Sequence, residues 1–371
     1  MSKTRKALSL AWRLLVCLLL LAWIFQAIFY NEGRLSWKQD VQTTHTDGEW
    51  QGLSRWDRFE IAWRYGPPEL WKTLREMDPV WLIVSVVLMG ATIFIGVLRW
   101  QAVLRVHGLK LSLWRVTQIS FVAHFFNSFL LGSVGGDVLK AYYVARETHH
   151  KKPEAVVTVV VDRLIGLFSM LVFGCIFLVP NFDLLTATPR LRLVVSLMLA
   201  MTCGCGIFLM IGFWGGVSRR VPKAREWLRR LPKGQSFERS LEAFREFGRD
   251  RGFFWRILPI STLLNAVLVI HFYVLTLGFH LHVPFLALAA IVPVVTSISA
   301  LPITPSGLGV RENLYVWMLA VPLLAVPEGK ALLLSLVGYA GSLFWSAVGG
   351  VVYLTLRQKQ ELAHLSDGDQ A

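Results

Sequence analysis

Long apolar runs alternate with short, strongly basic ones along this chain. Apolar stretches occupy Leu14–Tyr30, Val80–Leu98, Ala155–Pro180, Leu193–Trp214, Ile257–Phe279 and Ala331–Leu356, and each is 17 to 26 residues long. About 20 helical residues cross a hydrocarbon core about 30 Å thick. The pattern therefore predicts an all-α polytopic membrane protein with six spanning helices. Two further stretches are apolar but broken. Val116–Val134 runs into Gly132-Ser133-Val134-Gly135-Gly136-Asp137, and Pro284–Ala300 runs into Leu301-Pro302-Ile303-Thr304-Pro305-Ser306-Gly307-Leu308-Gly309. Glycine and proline at these points end a helix at membrane depth, which is tolerated only where protein or a polar cavity covers the freed backbone.

Charge placement orients the spans. The tail before Leu14, segment 99–115 and segment 137–154 carry four Lys/Arg each, and segment 215–256 carries twelve. Segment 31–79 holds seven Lys/Arg against nine Asp/Glu. Basic loops stay cytoplasmic, so the N-terminus is expected inside and segment 31–79 outside. The first span follows Lys3, Arg5, Lys6 and Arg13 and ends in Ile28-Phe29-Tyr30, with no small-residue cleavage site. It reads as an uncleaved anchor. Segments 99–115 and 137–154 both belong inside, so the apolar stretch between them cannot be a single crossing. A re-entrant hairpin near 116–147 solves this, and the same reasoning gives a second hairpin near 284–326, entering from the opposite face. Three ordinary crossings over 284–356 would also bring the tail inside.

The two halves then match. From helix start to break is 54 residues in the first (Val80 to Val134) and 49 in the second (Ile257 to Ser306). From break to the next helix is 21 residues against 25. The expected organisation is an anchor helix and Trp-rich exterior loop (1–79), a first repeat (80–180), a helix and basic cytoplasmic loop (181–256), a second repeat of opposite orientation (257–356) and a cytoplasmic tail (357–371). Broken segments at matching positions of two inverted halves point to a transporter's central site.

Composition sharpens the class. Of 371 residues 54% are hydrophobic and 17% charged, below the ~25% charged residues of soluble domains. A net charge of +14 would suggest nucleic acid, but the basic residues orient the chain, so no nucleic-acid partner is expected. Cys203-Gly204-Cys205-Gly206 and the His149-His150 and His280/His282 pairs lack further ligands at useful spacing. No metal and no cofactor are expected. No P-loop or dinucleotide fingerprint is present.

Ionisable groups inside membrane segments are costly and mark function. Asp137 and Lys140 follow the first break, Asp162 and Arg163 lie in the first turns of the span at 155, and Arg311 and Glu312 follow the second break. Asn127 shares a helix face with His124, which reads as a packed, hydrogen-bonded histidine. The helix starts after each break expose backbone N–H groups that favour an anion. Arg163 and Arg311 suit phosphate oxygens, with Asp137 and Glu312 placed to neutralise them. The substrate-binding candidates are Asn127, Asp137, Lys140, Asp162, Arg163, Arg311 and Glu312. The structural breaks are Gly132, Gly135, Gly136, Pro302, Pro305, Gly307 and Gly309. None is expected to be catalytic.

The run from Asn127 to Tyr142, the Asp162-Arg163 pair followed by Gly166, and Pro302 to Glu312 resemble, in order, three signatures of the lysylphosphatidylglycerol synthase transmembrane family. The likeness covers roughly 80–356. It departs at Gly132-Ser133-Val134-Gly135, where the family more often has a proline, and at Lys140, where it commonly has arginine. The resemblance implies a flippase-like protein of the bacterial inner membrane that moves a phospholipid, hopanoid or polyprenyl-linked lipid between leaflets. About 15 residues follow Leu356, so a stand-alone member without the soluble synthase domain is expected. A homo-oligomer or a separate lipid-modifying enzyme are the further partners this implies.

Two loops carry weaker patterns. Phe237, Leu241, Phe244 and Gly248 suit a short helix on the anionic inner leaflet, or a solvated linker. The exterior segment has Trp37, Trp50, Trp56, Trp63 and Trp71, which suit a membrane interface or sugar stacking, and reads as a lid at the outer leaflet. A lipid-linked transferase would use acids there, and Asp47-Gly48-Glu49 is the one candidate. That enzyme, or an accessory subunit, is the alternative to a flippase.

Overall fold

The computed structural model describes residues 26, 29–30, 33–34, 36–37, 47–129, 135–148, 151–214, 234–250, 252–301, 305–307 and 309–368. Among these residues all regular structure is helical. The elements are α1 (Asp47–Gly52), α2 (Arg55–Glu76), α3 (Pro79–Val106), α4 (Leu113–Phe129), α5 (Gly135–Glu147), α6 (Lys152–Leu178), α7 (Phe182–Thr186), α8 (Pro189–Trp214), α9 (Gly234–Arg249), α10 (Phe253–Gly278), α11 (Phe285–Ser299), α12 (Val310–Leu319) and α13 (Glu328–Gly368).

Five described helices are long and apolar enough to cross a membrane: α3, α6, α8, α10 and the first part of α13. They coincide with five of the six expected spans. The sixth, Leu14–Tyr30, lies almost wholly outside the described residues. Each observed helix outruns its apolar run. α3 continues to Val106 rather than stopping at Leu98, and α6 starts at Lys152 rather than Ala155. Asp78 caps α3 by accepting a hydrogen bond from the Val80 N–H at 2.9 Å, with Pro79 opening the first turn. The segment expected as an exterior loop contains two helices, α1 and α2.

The two broken stretches are pairs of short helices, α4 with α5 and α11 with α12, each pair packed together. The first break, 130–134 with Gly132, lies outside the described residues, as does Pro302 in the second. α12 has 10 residues and α5 has 13, about 15 and 20 Å of helix. Neither reaches across ~30 Å of hydrocarbon. α11 is buried on nearly every side, with Leu288, Ala290, Ile291, Val292, Val294 and Val295 fully enclosed, as expected of a helix that is apolar all round.

The packing has a two-fold pattern. α3 packs on α10; α4 packs on α13 as α11 packs on α6; α5 packs on α6 as α12 packs on α13. Exchanging the series α3–α6 with α10–α13 leaves this map unchanged. The matched helices α3 and α10 run antiparallel. The Asp78 N–H donates to the Gly278 carbonyl at 3.4 Å, His271 donates from Nδ1 to the Ser85 carbonyl at 3.0 Å, and Gly96 faces Leu264. Glycines allow the closest approaches: a Cβ on Gly349 of α13 would collide with the Phe121 carbonyl of α4.

α9 turns its apolar side onto α6 and α8. Phe247 is fully buried against Phe213 and Phe253, and Phe244 stacks on Phe213. Of the stripe read from the sequence, Phe244 and Gly248 pack against Phe213 of α8. At the end of α3 the buried His107 shares a hydrogen bond of 2.8 Å between Nδ1 and Glu246 of α9, and the Lys151 ammonium donates to the His107 carbonyl at 2.8 Å.

Candidate functional site

One cavity of about 480 Å³ opens where the two helix pairs meet. Its polar lining includes Asn127, Asp137, Lys140, Asp162, Arg163 and Arg311, with Glu312 directly behind Arg311. Six of the seven binding candidates thus line one cavity and the seventh lies behind Arg311. The cavity also takes Arg99, Ser306 and Tyr339, which the sequence reading did not single out.

Each signature has a local reason. Asn127, near the end of α4, accepts the Gly136 N–H at 2.8 Å through Oδ1, satisfying one of the free donors at the start of α5. Gly136 is required because a Cβ there would collide with the Ala123 carbonyl. In the second pair Ser306 (φ 52°), Gly307 (φ 71°) and Gly309 (φ 81°) take left-handed backbone. A Cβ on Gly307 would come within 2.8 Å of the Ser299 carbonyl. Glu312 caps this turn, its carboxylate accepting the Gly309 N–H at 2.6 Å. Gly166, one turn beyond Asp162, leaves room for a guanidinium: a Cβ there would lie 2.7 Å from Arg99.

Two charge networks face the cavity. In the first, Asp162 accepts from Arg99 Nε at 2.9 Å and from Lys140 Nζ at 3.3 Å, and these two cationic side chains are each only 12% exposed. Lys140 also lies 3.8 Å from the centre of the Trp100 ring. Arg163 reaches Asp137 at 3.5 Å, with its side chain 43% exposed. Asp162 sits ten residues into α6, about 15 Å along the helix from its start. In the second network Arg311 donates to Glu312 at 2.6 Å and to the Ser335 hydroxyl at 3.1 Å, with its guanidinium 4.2 Å from the Tyr339 ring centre.

Four cations (Arg99, Lys140, Arg163, Arg311) therefore face three carboxylates (Asp137, Asp162, Glu312), leaving a positive surplus. Arg163 holds its partner at the longest distance and in the most open position, so an arriving anion displaces it most easily. Arg99 and Lys140 are held by a buried carboxylate that cannot be left alone cheaply. Between the networks the two breaks touch. The Ser306 hydroxyl donates to the Ser128 carbonyl at 2.9 Å and lies 3.4 Å from that of Asn127. His124 packs beside them, donating from Nε2 to the Ser342 carbonyl at 3.2 Å. The rest of the lining mixes apolar side chains, including Met89, Ile93, Leu167, Leu264 and Leu268, with the hydroxyls of Thr92, Ser120, Thr296, Ser299 and Ser342. Among the described residues no cluster of three or more His, Cys, Asp or Glu is arranged to hold a metal ion.

Arg99 was missed because it follows the apolar run 80–98 and counted as a loop charge. The signal that marks it is Asp162 itself, a carboxylate in an apolar span that needs a cation.

Comparison with known proteins adds to this geometry. The family described as "Lysylphosphatidylglycerol synthase TM region" matches residues 58–360. Two proteins of Methanothermobacter thermautotrophicus, each named "UPF0104 membrane protein", are similar. One is 24% identical over 265 residues, covering 68% of this chain and 78% of the relative. The other is 25% identical over 283 residues, covering 71% and 80%.

Proposed function

The chain belongs to the lysylphosphatidylglycerol synthase transmembrane-region family, and on that premise we propose that it is a flippase-like translocase of an amphipathic lipid. The observation that carries this reading is the cavity at the junction of the two broken helix pairs, lined by both cations and aliphatic side chains. Such a lining suits a molecule with an anionic head and a hydrocarbon tail, the class that includes phospholipids and polyprenyl-linked lipids. α12 and α5 are too short to cross, so each pair is read as a re-entrant hairpin. The antiparallel α3 and α10 support reading the halves as an inverted repeat, with the hairpins entering from opposite faces.

On this reading the headgroup first meets Arg163, which releases Asp137 to bind it. The headgroup then passes the contact between the hairpin tips and reaches Arg311 over Tyr339. The tips must part for it to pass, so the Ser306 hydrogen bonds break and re-form in each cycle. The protein lies in the bacterial inner membrane with its N-terminus cytoplasmic, where its basic loops face the anionic leaflet. The enzyme alternative gains nothing from the geometry, because neither Asp47 nor Glu49 lines the cavity.

The test is a proteoliposome assay with fluorescent phosphatidylglycerol and a polyprenyl phosphate, followed by quenching of the outer leaflet. Protein-dependent exposure of inner-leaflet probe is expected, and Arg311→Ala or Glu312→Ala should reduce it. Unchanged flipping in both variants would sink the site assignment.

A further inference from the structure

We propose that α2 is an interfacial helix, lying flat in the outer leaflet with its aromatic face buried at the boundary between headgroups and acyl chains. α2 has 22 residues and nine charges, five basic and four acidic, so it cannot cross the bilayer. Successive residues turn by about 100°, which divides the helix into three sectors. Trp56, Phe59, Trp63 and Trp71 fall within one sector about 120° wide, which also holds one exposed charge, Glu60. They are 79%, 43%, 45% and 59% exposed, although aromatic rings of this size dominate burial elsewhere. A second sector holds Ala62 and Gly66, packed against Gly33 and Phe29. The third holds Asp57, Arg64 and Arg75, all exposed.

A helix clamped sideways to a protein, apolar below and polar above, is the form a membrane surface selects. Its position names the occupant. α2 ends at Glu76 and α3 starts at Pro79, which leaves two residues between them. Met77 is buried in the core and Asp78 is hydrogen-bonded to Gly278 at the end of α10. The helix is thereby held where two spanning helices leave the bilayer. From there the exposed apolar row Val80, Ile83 and Val87 of α3 continues into the hydrocarbon. Trp and Tyr concentrate at this depth because one end of the ring is apolar and the other polar. The nearly balanced charge of α2 means that it is held by apolar burial, not by attraction to anionic lipid. The flat placement needs only that the chain spans a membrane, the choice of leaflet rests on the proposed orientation, and neither depends on what the cavity carries.

The test uses the full chain without its native cysteines in nanodiscs of phosphatidylcholine and phosphatidylglycerol. Single nitroxide labels replace residues 56, 59, 63 and 71 on one sector and 57, 64 and 75 on another. Collision with oxygen should be several-fold higher at the first set and collision with a water-soluble nickel chelate several-fold higher at the second. The contrast should persist at high salt and without anionic lipid. High nickel access at 59 and 63 would overturn the proposal in favour of an aqueous lid or a sugar-binding face. Low access to both reagents at those positions would overturn it in favour of a protein partner. Labels at several positions of each sector separate a local distortion from the orientation of the helix.

Discussion

Asp162 is the one carboxylate to which Arg99 and Lys140 both donate, so removing its charge should be the most damaging polar substitution in the molecule. In Asp162→Asn, two cations that are each 12% exposed lose their common partner at 2.9 and 3.3 Å. Breaking a buried pair by removing one member costs about 3–5 kcal/mol. The asparagine oxygen still accepts one hydrogen bond, which places the loss near ~3 kcal/mol. Arg99→Gln should cost less, about 1–3 kcal/mol, because Lys140 still neutralises Asp162. The double variant leaves Lys140 on the Trp100 face and removes the unmatched guanidinium. Its cost should fall short of the sum of the single costs by roughly 0.5–3 kcal/mol. Denaturant unfolding of the purified protein in micelles, followed by tryptophan fluorescence, gives all three values. Strict additivity, or an Asp162→Asn protein as stable as wild type, would refute the assignment of Asp162 as the centre of the network.

Three further outcomes are expected. Gly166→Ala should push Arg99 off Asp162 and lower stability by about 1–3 kcal/mol. In an Arg99→Gln background it should cost almost nothing, which the same unfolding assay reads. Gly136→Ala should disturb the first helix pair, because the added methyl group meets the Ala123 carbonyl; hydrogen exchange of 135–147 should rise while that of α11 stays unchanged. Acidification should loosen α9. Burial holds His107 below its ordinary value of about 6.5, against the pull of Glu246 and Glu154 and with that of Lys151. The docked state therefore binds fewer protons than the undocked one below that pH, and docking weakens as pH falls through 6.5 towards the lower docked value. Protection from hydrogen exchange over 234–249, taken relative to the intrinsic exchange rate at each pH, should fall between pH 7.5 and 5.5, and His107→Gln should flatten that dependence.

Much of this was legible in the chain before any coordinates. Apolar run length placed five spans because the hydrocarbon thickness fixes how many residues a helix needs. Broken apolar stretches marked both helix pairs because glycine and proline act through the local backbone. The residues that came together from a distance were less legible. Arg99 pairs with an acid 63 positions away, so no local pattern distinguishes it from a cytoplasmic arginine, and the helix simply continues through it. Lys140 was counted towards the cytoplasmic charge, yet it points into the cavity, onto Trp100. The stripe on α9 was visible as an amphipathic pattern, but hydropathy cannot say whether lipid or protein covers an apolar face. Here Phe213 packs against Phe244 and Gly248. On α2 Trp63 meets Phe29 edge-on, yet Trp56, Phe59, Trp63 and Trp71 all stay well exposed. Arg311 and Glu312 were legible because they adjoin the break that positions them.

The account rests on the two helix tips parting to let a headgroup through, and a reversible lock on that contact tests it most directly. Ser306→Cys and Ser128→Cys in a chain without native cysteines put one thiol on each tip, beside the contact where the Ser306 hydroxyl donates to the Ser128 backbone carbonyl at 2.9 Å. The thiols would be joined by a disulfide or a short bifunctional maleimide carrying a cleavable disulfide. The account predicts that the joined protein stops flipping the fluorescent phospholipid in proteoliposomes and that reduction restores the rate of the unjoined double variant. Joined protein that flips at the unjoined rate would contradict it.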